Sequence, residues 1–108
     1  MKDDQLYIDH ILQCISKIEL YLTDLDKESF SNDSKTQDAV VRQLEIIGEA
    51  TKRISNEFRI RNPQIPWSDM AGMRDILIHD YIDVDLDIVW KTASESIGAL
   101  KELLSQLS

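Results

Sequence analysis

Three glycines and two prolines in 108 residues leave this chain few places to turn sharply, and both prolines fall in one stretch, RNPQIPW (61–67). Between such breaks the apolar residues recur by threes and fours, the period of a helix with one buried stripe. Ile8, Ile11, Ile15, Ile18, Leu22 and Leu25 predict a first helix over about residues 4–25, with Asp3 or Asp4 as its N-cap. The polar run DKESFSNDSKT (26–36) reads as a connection. A second helix is predicted over about 36–58, its stripe formed by Val40, Leu44, Ile47, Thr51, Ile54 and Phe58, with Gly48 beside it where another helix could approach closely. Pro63 and Pro66 push the residues before them out of helical geometry. Ser68 or a neighbour can cap a third helix ending near Asp80, and DVDLD (83–87) makes the next turn, with Asp85 capping a fourth helix to the C-terminus. Ala93, Ile97, Leu100, Leu104 and Leu107 would face inward there. The expectation is a single all-α domain over residues 1–108, an antiparallel four-helix bundle.

Composition narrows the function classes. Apolar content of 43% with 30% charged residues is ordinary for a folded chain, and no apolar run approaches the roughly 18–20 residues of a membrane span. The start, MKDDQLYIDH, is acidic where a secretory leader is basic, and Cys14 is the sole cysteine; the expected location is the cytoplasm. Two distant histidines and one cysteine give no metal-ligand spacing, and no glycine loop cradles phosphate, so no metal and no bound cofactor are expected. The net charge of −8 argues against a broad polyanion-binding surface. Six basic residues against four acids between 42 and 74 nevertheless make a locally positive band in an acidic chain.

The densest chemistry lies in RDILIHDY (74–81). On a helical wheel at 100° per residue, Met70, Leu77, Ile78 and Tyr81 fall within about 60° of Arg74. An arginine in an apolar stripe is costly unless its charge meets an anion. His79 lies about 140° away, beside Asp75 and near Gly72 and Ile76. Such a helix, apolar or small on two sides, is usually covered on both, and the second cover could come from another subunit. Spacing alone does not bring Arg74 and His79 together. They would converge if the helix loosened near His79, or if two copies of it packed across a two-fold axis.

RDILIHDY resembles the Arg-x4-His-x-Tyr motif of the HEPN superfamily in its HepT branch. LEIIGEATKRIS (44–55), PQIPWSDMAGMRD (63–75) and VDLDIVW (84–90) resemble further segments of that branch, in the same order, so the likeness spans roughly residues 4–105. It implies an all-α homodimer with a composite site at its interface, acting as a metal-independent endoribonuclease. It implies, too, the toxin half of a toxin–antitoxin pair, silenced when a minimal nucleotidyltransferase of the MntA type transfers AMP to the motif tyrosine. Carried onto this chain, Arg74 and His79 become catalytic and Tyr81 the modified residue.

Elementary chemistry suits those roles. RNA is cut without a metal when its 2′-hydroxyl attacks the adjacent phosphate; a histidine titrating near neutrality moves the protons, and an arginine holds the charge developing on phosphate oxygen. Asp75 is placed to orient His79, and Lys52, Arg53, Arg59 and Arg61 are candidate RNA contacts. Duller roles compete. Arg74 could bridge to Glu45 or Glu49, His79 could serve a helix C-terminus, and Tyr81 could be a core aromatic. His10 is expected at the surface, and Trp67 and Trp90 as core or interface anchors. The other functional reading is a non-catalytic helical adaptor that binds the nucleotidyltransferase.

Overall fold

The first helix, α1 (Lys2–Tyr21), begins two residues earlier than its periodicity suggests, so Asp3 and Asp4 lie in its first turn instead of capping it. Asp4 has a different task. It is 2% exposed and accepts hydrogen bonds from the Ser55 amide (2.8 Å) and hydroxyl (2.7 Å), 51 residues away. The computed structural model describes residues 2–79 and 85–107, without the side chains of Lys2 and of residues 74–79. All regular structure among them is helical.

α1 ends at Tyr21, short of the predicted 25, in a turn where Asp24 takes the left-handed conformation (φ 64°) that Asp tolerates better than most residues. The polar connection after it is more than a loop. Asp26 caps α2 (Lys27–Ser31) by accepting from the Ser29 amide at 2.8 Å, and this one turn delivers Phe30, fully buried, against Trp90 with ring centroids 5.3 Å apart. Asp33 then caps α3 (Ser34–Lys52), accepting from the Thr36 amide and hydroxyl at 3.0 and 2.7 Å.

The predicted second helix does not continue to residue 58. Its 3.6-residue period runs on, but the bonds from Ser55 to Asp4 hold Ser55 extended, and its own hydroxyl caps α4 (Asn56–Arg61) by accepting from the Phe58 amide. A tertiary contact thus breaks what local pattern would have joined. The same contact brings the start of α1 to the end of α3, so those two helices run antiparallel.

α5 (Trp67–His79) begins ahead of the predicted cap, so that Ser68 lies inside its first turn, and its predicted end near Asp80 falls at the limit of the described residues. Trp67 is buried, donates its indole N–H to the Asn62 carbonyl (2.9 Å) and meets Phe58 edge-on at 6.0 Å. α5 therefore starts beside the end of α3 and packs back along it. Asp85 caps α6 (Leu86–Lys91) as expected, accepting from the Asp87 amide at 2.9 Å. The helix passes through a π-helical turn (Thr92–Ser96) into α7 (Ile97–Ser105). The predicted fourth helix is therefore a single run with one widened turn.

One apolar core joins these four long elements. Ile8, Ile11, Ile15 and Ile18 of α1 meet Val40, Leu44 and Ile47 of α3, Met70 of α5, and Val89, Ala93, Ile97, Leu100 and Leu104 of the last run. Each fully buried aliphatic side chain here is worth about 1.5–3 kcal/mol. Gly48 is buried on α3, and Leu107 packs against the core edge. No helix among the described residues is long and apolar enough to cross a membrane.

Candidate active site

The motif's first six positions follow directly from this frame. Trp67 and Met70 seat the first turn of α5 in the core, and the backbone stays α-helical without interruption through His79. Positions 74, 75 and 79 are thus on one regular helix. On a regular helix Arg74 and His79 project about 140° apart, whereas Asp75 and His79, one turn apart, share a side. Tyr81 lies outside the described residues.

Gly72 falls on the His79 side of the helix, about 20° from it by the same arithmetic. A methyl group built there would meet nothing within 4 Å. The first half of α5 also borders an open groove of about 420 Å³, shared with Thr92 and Ser96 of the π turn and with Leu100. Among the described residues this part of α5 is only partly covered.

The four basic candidates sit elsewhere, and for a topological reason. Lys52 and Arg53 end α3, and Arg59 and Arg61 belong to α4, so all four gather where α5 begins. His79 is at its other end, about 18 Å along the axis at 1.5 Å per residue. Within one chain these four residues are therefore remote from the motif histidine. Arg59 is also committed to the scaffold: half-buried, it donates from Nη2 to the Thr51 carbonyl at 2.6 Å, satisfying a terminal carbonyl of α3. Arg53 is exposed at the rim of a shallow groove with His10 and Glu49, and Arg61 is exposed over the Phe58 ring at 5.8 Å.

Glu45 lies 3.8 Å from Arg42, while the side chain of Arg74 lies outside the described residues. His10 is exposed; Trp67 is a core anchor, and Trp90 is half-buried on Phe30. Among the described residues no three His, Cys, Asp or Glu side chains converge as metal ligands. Cys14 is buried, and burial pushes its thiol above its ordinary pKa. What sequence reasoning missed is Asp4 as the lock on the α3–α4 corner. Only its i, i+51 partner reveals it, and no local pattern carries that signal.

An all-helical domain whose third long helix carries the Arg-x4-His of an Arg-x4-His-x-Tyr sequence defines a recognisable class, and comparison with known proteins places the chain within it. The family described as Ribonuclease HepT-like matches residues 11–107. A protein of Thermococcus cleftensis named as a probable ribonuclease HepT is 48% identical over 101 residues, covering 94% of this chain and 92% of that one. A Caldanaerobacter subterraneus protein named as a candidate RNase is 38% identical over 107 residues, covering 99% of this chain and 96% of its own length. A longer Methanocaldococcus jannaschii protein, named as both a gamma-glutamylcyclotransferase and a candidate RNase, is 46% identical across 94% of this chain and 46% of its own length. No solved structure gives a significant match. The chain belongs to the HepT-like ribonuclease family.

Proposed function

We propose that this protein is a metal-independent endoribonuclease, the toxin of a HepT/MntA-type toxin–antitoxin pair, working as a homodimer. The observation that carries the reading is the intact set Arg74, His79 and Tyr81 on and just after α5, in a chain that matches the family over residues 11–107. Because α5 is regular through His79, positions 74 and 79 lie about 140° apart around it. A cleft using both draws them from two copies of the helix, and the partly covered Gly72 side of α5 is where the second copy fits.

In that cleft the 2′-oxygen of RNA bonds to phosphorus as it loses its proton, and the P–O5′ bond breaks. The 5′-oxygen takes a proton, leaving a 2′,3′-cyclic phosphate and a 5′-hydroxyl. His79 handles the protons, with Asp75 orienting it from one turn away. Arg74 holds the non-bridging oxygens as charge builds on them. Control falls to Tyr81. When the nucleotidyltransferase partner transfers AMP from ATP, the phenol oxygen bonds to the α-phosphorus, pyrophosphate leaves and the phenol proton is lost. A bulky anion two residues from His79 then blocks the cleft and competes for Arg74.

The test is RNA cleavage in EDTA by the purified chain beside Arg74→Ala and His79→Ala, with the intact mass of each preparation recorded. Cleavage that both substitutions abolish supports the reading. An unmodified wild-type chain that leaves RNA intact sinks it. One observation favours a second reading, a non-catalytic adaptor of the nucleotidyltransferase: the net charge of −8, with Arg59 tied into the scaffold, gives poor general affinity for RNA. Expression without the partner separates the two. A ribonuclease arrests growth and His79→Ala relieves the arrest; an adaptor is harmless in both forms.

A further inference from the structure

Where α4 meets the C-terminal end of α7, a cleft of about 460 Å³ opens that the motif does not touch. Its walls are mainly carboxamides, with Leu107 as an apolar edge. Gln5 of α1, Asn62 and Gln64 of the connection to α5, and Gln106 after α7 surround Arg61 and Phe58 of α4. These residues are scattered from position 5 to position 106, so no sequence window shows them together.

Three features limit what such a cleft can hold. Arg61 is exposed over the Phe58 ring, 5.8 Å from its centroid, and has no carboxylate partner among the described residues. Among the described residues Arg61 is thus a cation without an ion pair that lines a cavity. Phe58 is itself held edge-on by the buried Trp67, so the Arg61–Phe58 pair rests on the core. Gln5 donates from Nε2 to Asp9 at 2.9 Å, which ties this amide to α1. Gln64 and Gln106 add two further amides, each with a donor and an acceptor end. A guanidinium suits a phosphate and offers a plane for stacking, while carboxamides match the mixed donor and acceptor edges of an unpaired base. An apolar ligand would strand the amides, and a cation would meet Arg61.

We propose that this cleft binds one nucleotide of a single-stranded RNA, with its phosphate on Arg61 and its base edge on the amides. The proposal rests on the ribonuclease reading and deepens it. The cleft adjoins the start of α5 and His79 ends it, about 18 Å away along the helix axis. The bound nucleotide is therefore not the one at the scissile bond. The cleft acts as a remote subsite that selects strands long enough to reach it.

The experiment is fluorescence anisotropy with a labelled 12-nucleotide single-stranded RNA, 2′-O-methylated throughout so that it cannot be cut, titrated with the full chain and its variants. Thermal melts confirm that each variant is folded. Arg61→Gln is expected to weaken binding about tenfold, the scale of losing one stacked or phosphate-held nucleotide, with Arg61→Lys in between and Gln64→Ala plus Gln106→Ala weaker by several-fold. Arg42→Gln, an equal loss of charge on an exposed stretch of α3, is expected to change binding less than twofold. Wild-type protein that does not bind the oligonucleotide, Arg61→Gln that binds like wild type, or Arg42→Gln that loses as much as Arg61→Gln each overturns the proposal. Because the probe is uncleavable, the two readings fail separately. A chain that cuts no RNA but loses binding on Arg61→Gln keeps the subsite and discards the ribonuclease; one that cuts RNA and binds equally well without Arg61 does the reverse.

Discussion

The two ends of α5 are built from different materials. At its start Trp67 and Met70 are buried, the indole is hydrogen-bonded to Asn62, and Phe58 closes over it. At its end the sequence places Arg74, Asp75 and His79 in under two turns, where a helix serving only the core would carry aliphatic residues. One end fixes where the helix lies and the other supplies groups that matter in chemistry. Substitutions at the two ends should therefore fail in different assays, and that separation can be broken experimentally.

The sharpest break comes from His79→Ala and Arg74→Ala. On the proposed mechanism each lowers RNA cleavage by roughly 10²–10⁴-fold, the range for removing a positioned proton-transfer group or a charge-stabilising donor. Each should leave the melting temperature within a few degrees. A variant that loses activity only because it has unfolded would put His79 or Arg74 on the structural side of the comparison.

Trp67→Ala is the reciprocal case. Emptying a buried aromatic site costs about 3–5 kcal/mol, and the indole's partner at Asn62 is lost with it. Urea unfolding should show a lower midpoint, and whatever fraction remains folded should keep wild-type cleavage per folded molecule. A variant of full stability and no activity would instead place Trp67 in the chemistry.

Asp4→Asn tests the corner next to that structural end. Burial pushes the Asp4 carboxyl up, but hydrogen bonds from the Ser55 amide and hydroxyl outweigh it and leave the group below its ordinary value of 3.8. A carboxyl depressed on folding stabilises the fold at pH values above its unfolded pKa, and that stability is lost as pH falls through the folded value. Disrupting this buried site should cost roughly 1–3 kcal/mol at neutral pH. It should also flatten the fall in stability below about pH 4. Asp26 and Asp33 are depressed too, Asp26 by bonds from the Ser29 amide and side chain, Asp33 by the Thr36 hydroxyl and amide. Some acid sensitivity therefore persists in the variant. Equal acid slopes in the two proteins would show that Ser55 does not draw on the Asp4 charge.

The sequence disclosed these regions unequally, and for physical reasons. α5 was legible because its signals are local: prolines before it, and a period that tertiary packing leaves alone. The Asp85 cap was legible in the same way. The α3–α4 break was not, since the apolar stripe runs on through Ile54 and Phe58 and the interruption comes from Asp4, far away in sequence. α2 was hidden because a single buried side chain, Phe30, has no period. Of the candidate site, motif and helix were readable, but the distance from His79 to Arg53, Arg59 and Arg61 was not: residues near in sequence lie at opposite ends of an antiparallel pair.

The smallest expected effect probes the partly covered side of α5. Gly72 lies mid-helix with a negative φ, and a methyl group there meets no atom within 4 Å in one chain. Within the monomer, Gly72→Ala should raise helix stability by roughly 0.5–1 kcal/mol, because glycine loses more backbone entropy on folding than alanine. Gly72 shares its side of the helix with His79, however, and the proposed dimer packs a second copy there. A methyl placed between two closely packed helices pushes them apart. The expected signature is therefore split: a higher unfolding midpoint at low protein concentration, together with weaker self-association in sedimentation and slower RNA cleavage. A gain in stability with unchanged association and activity would move the second copy off this face. Arg74 and His79 would then have to meet by some other packing of α5.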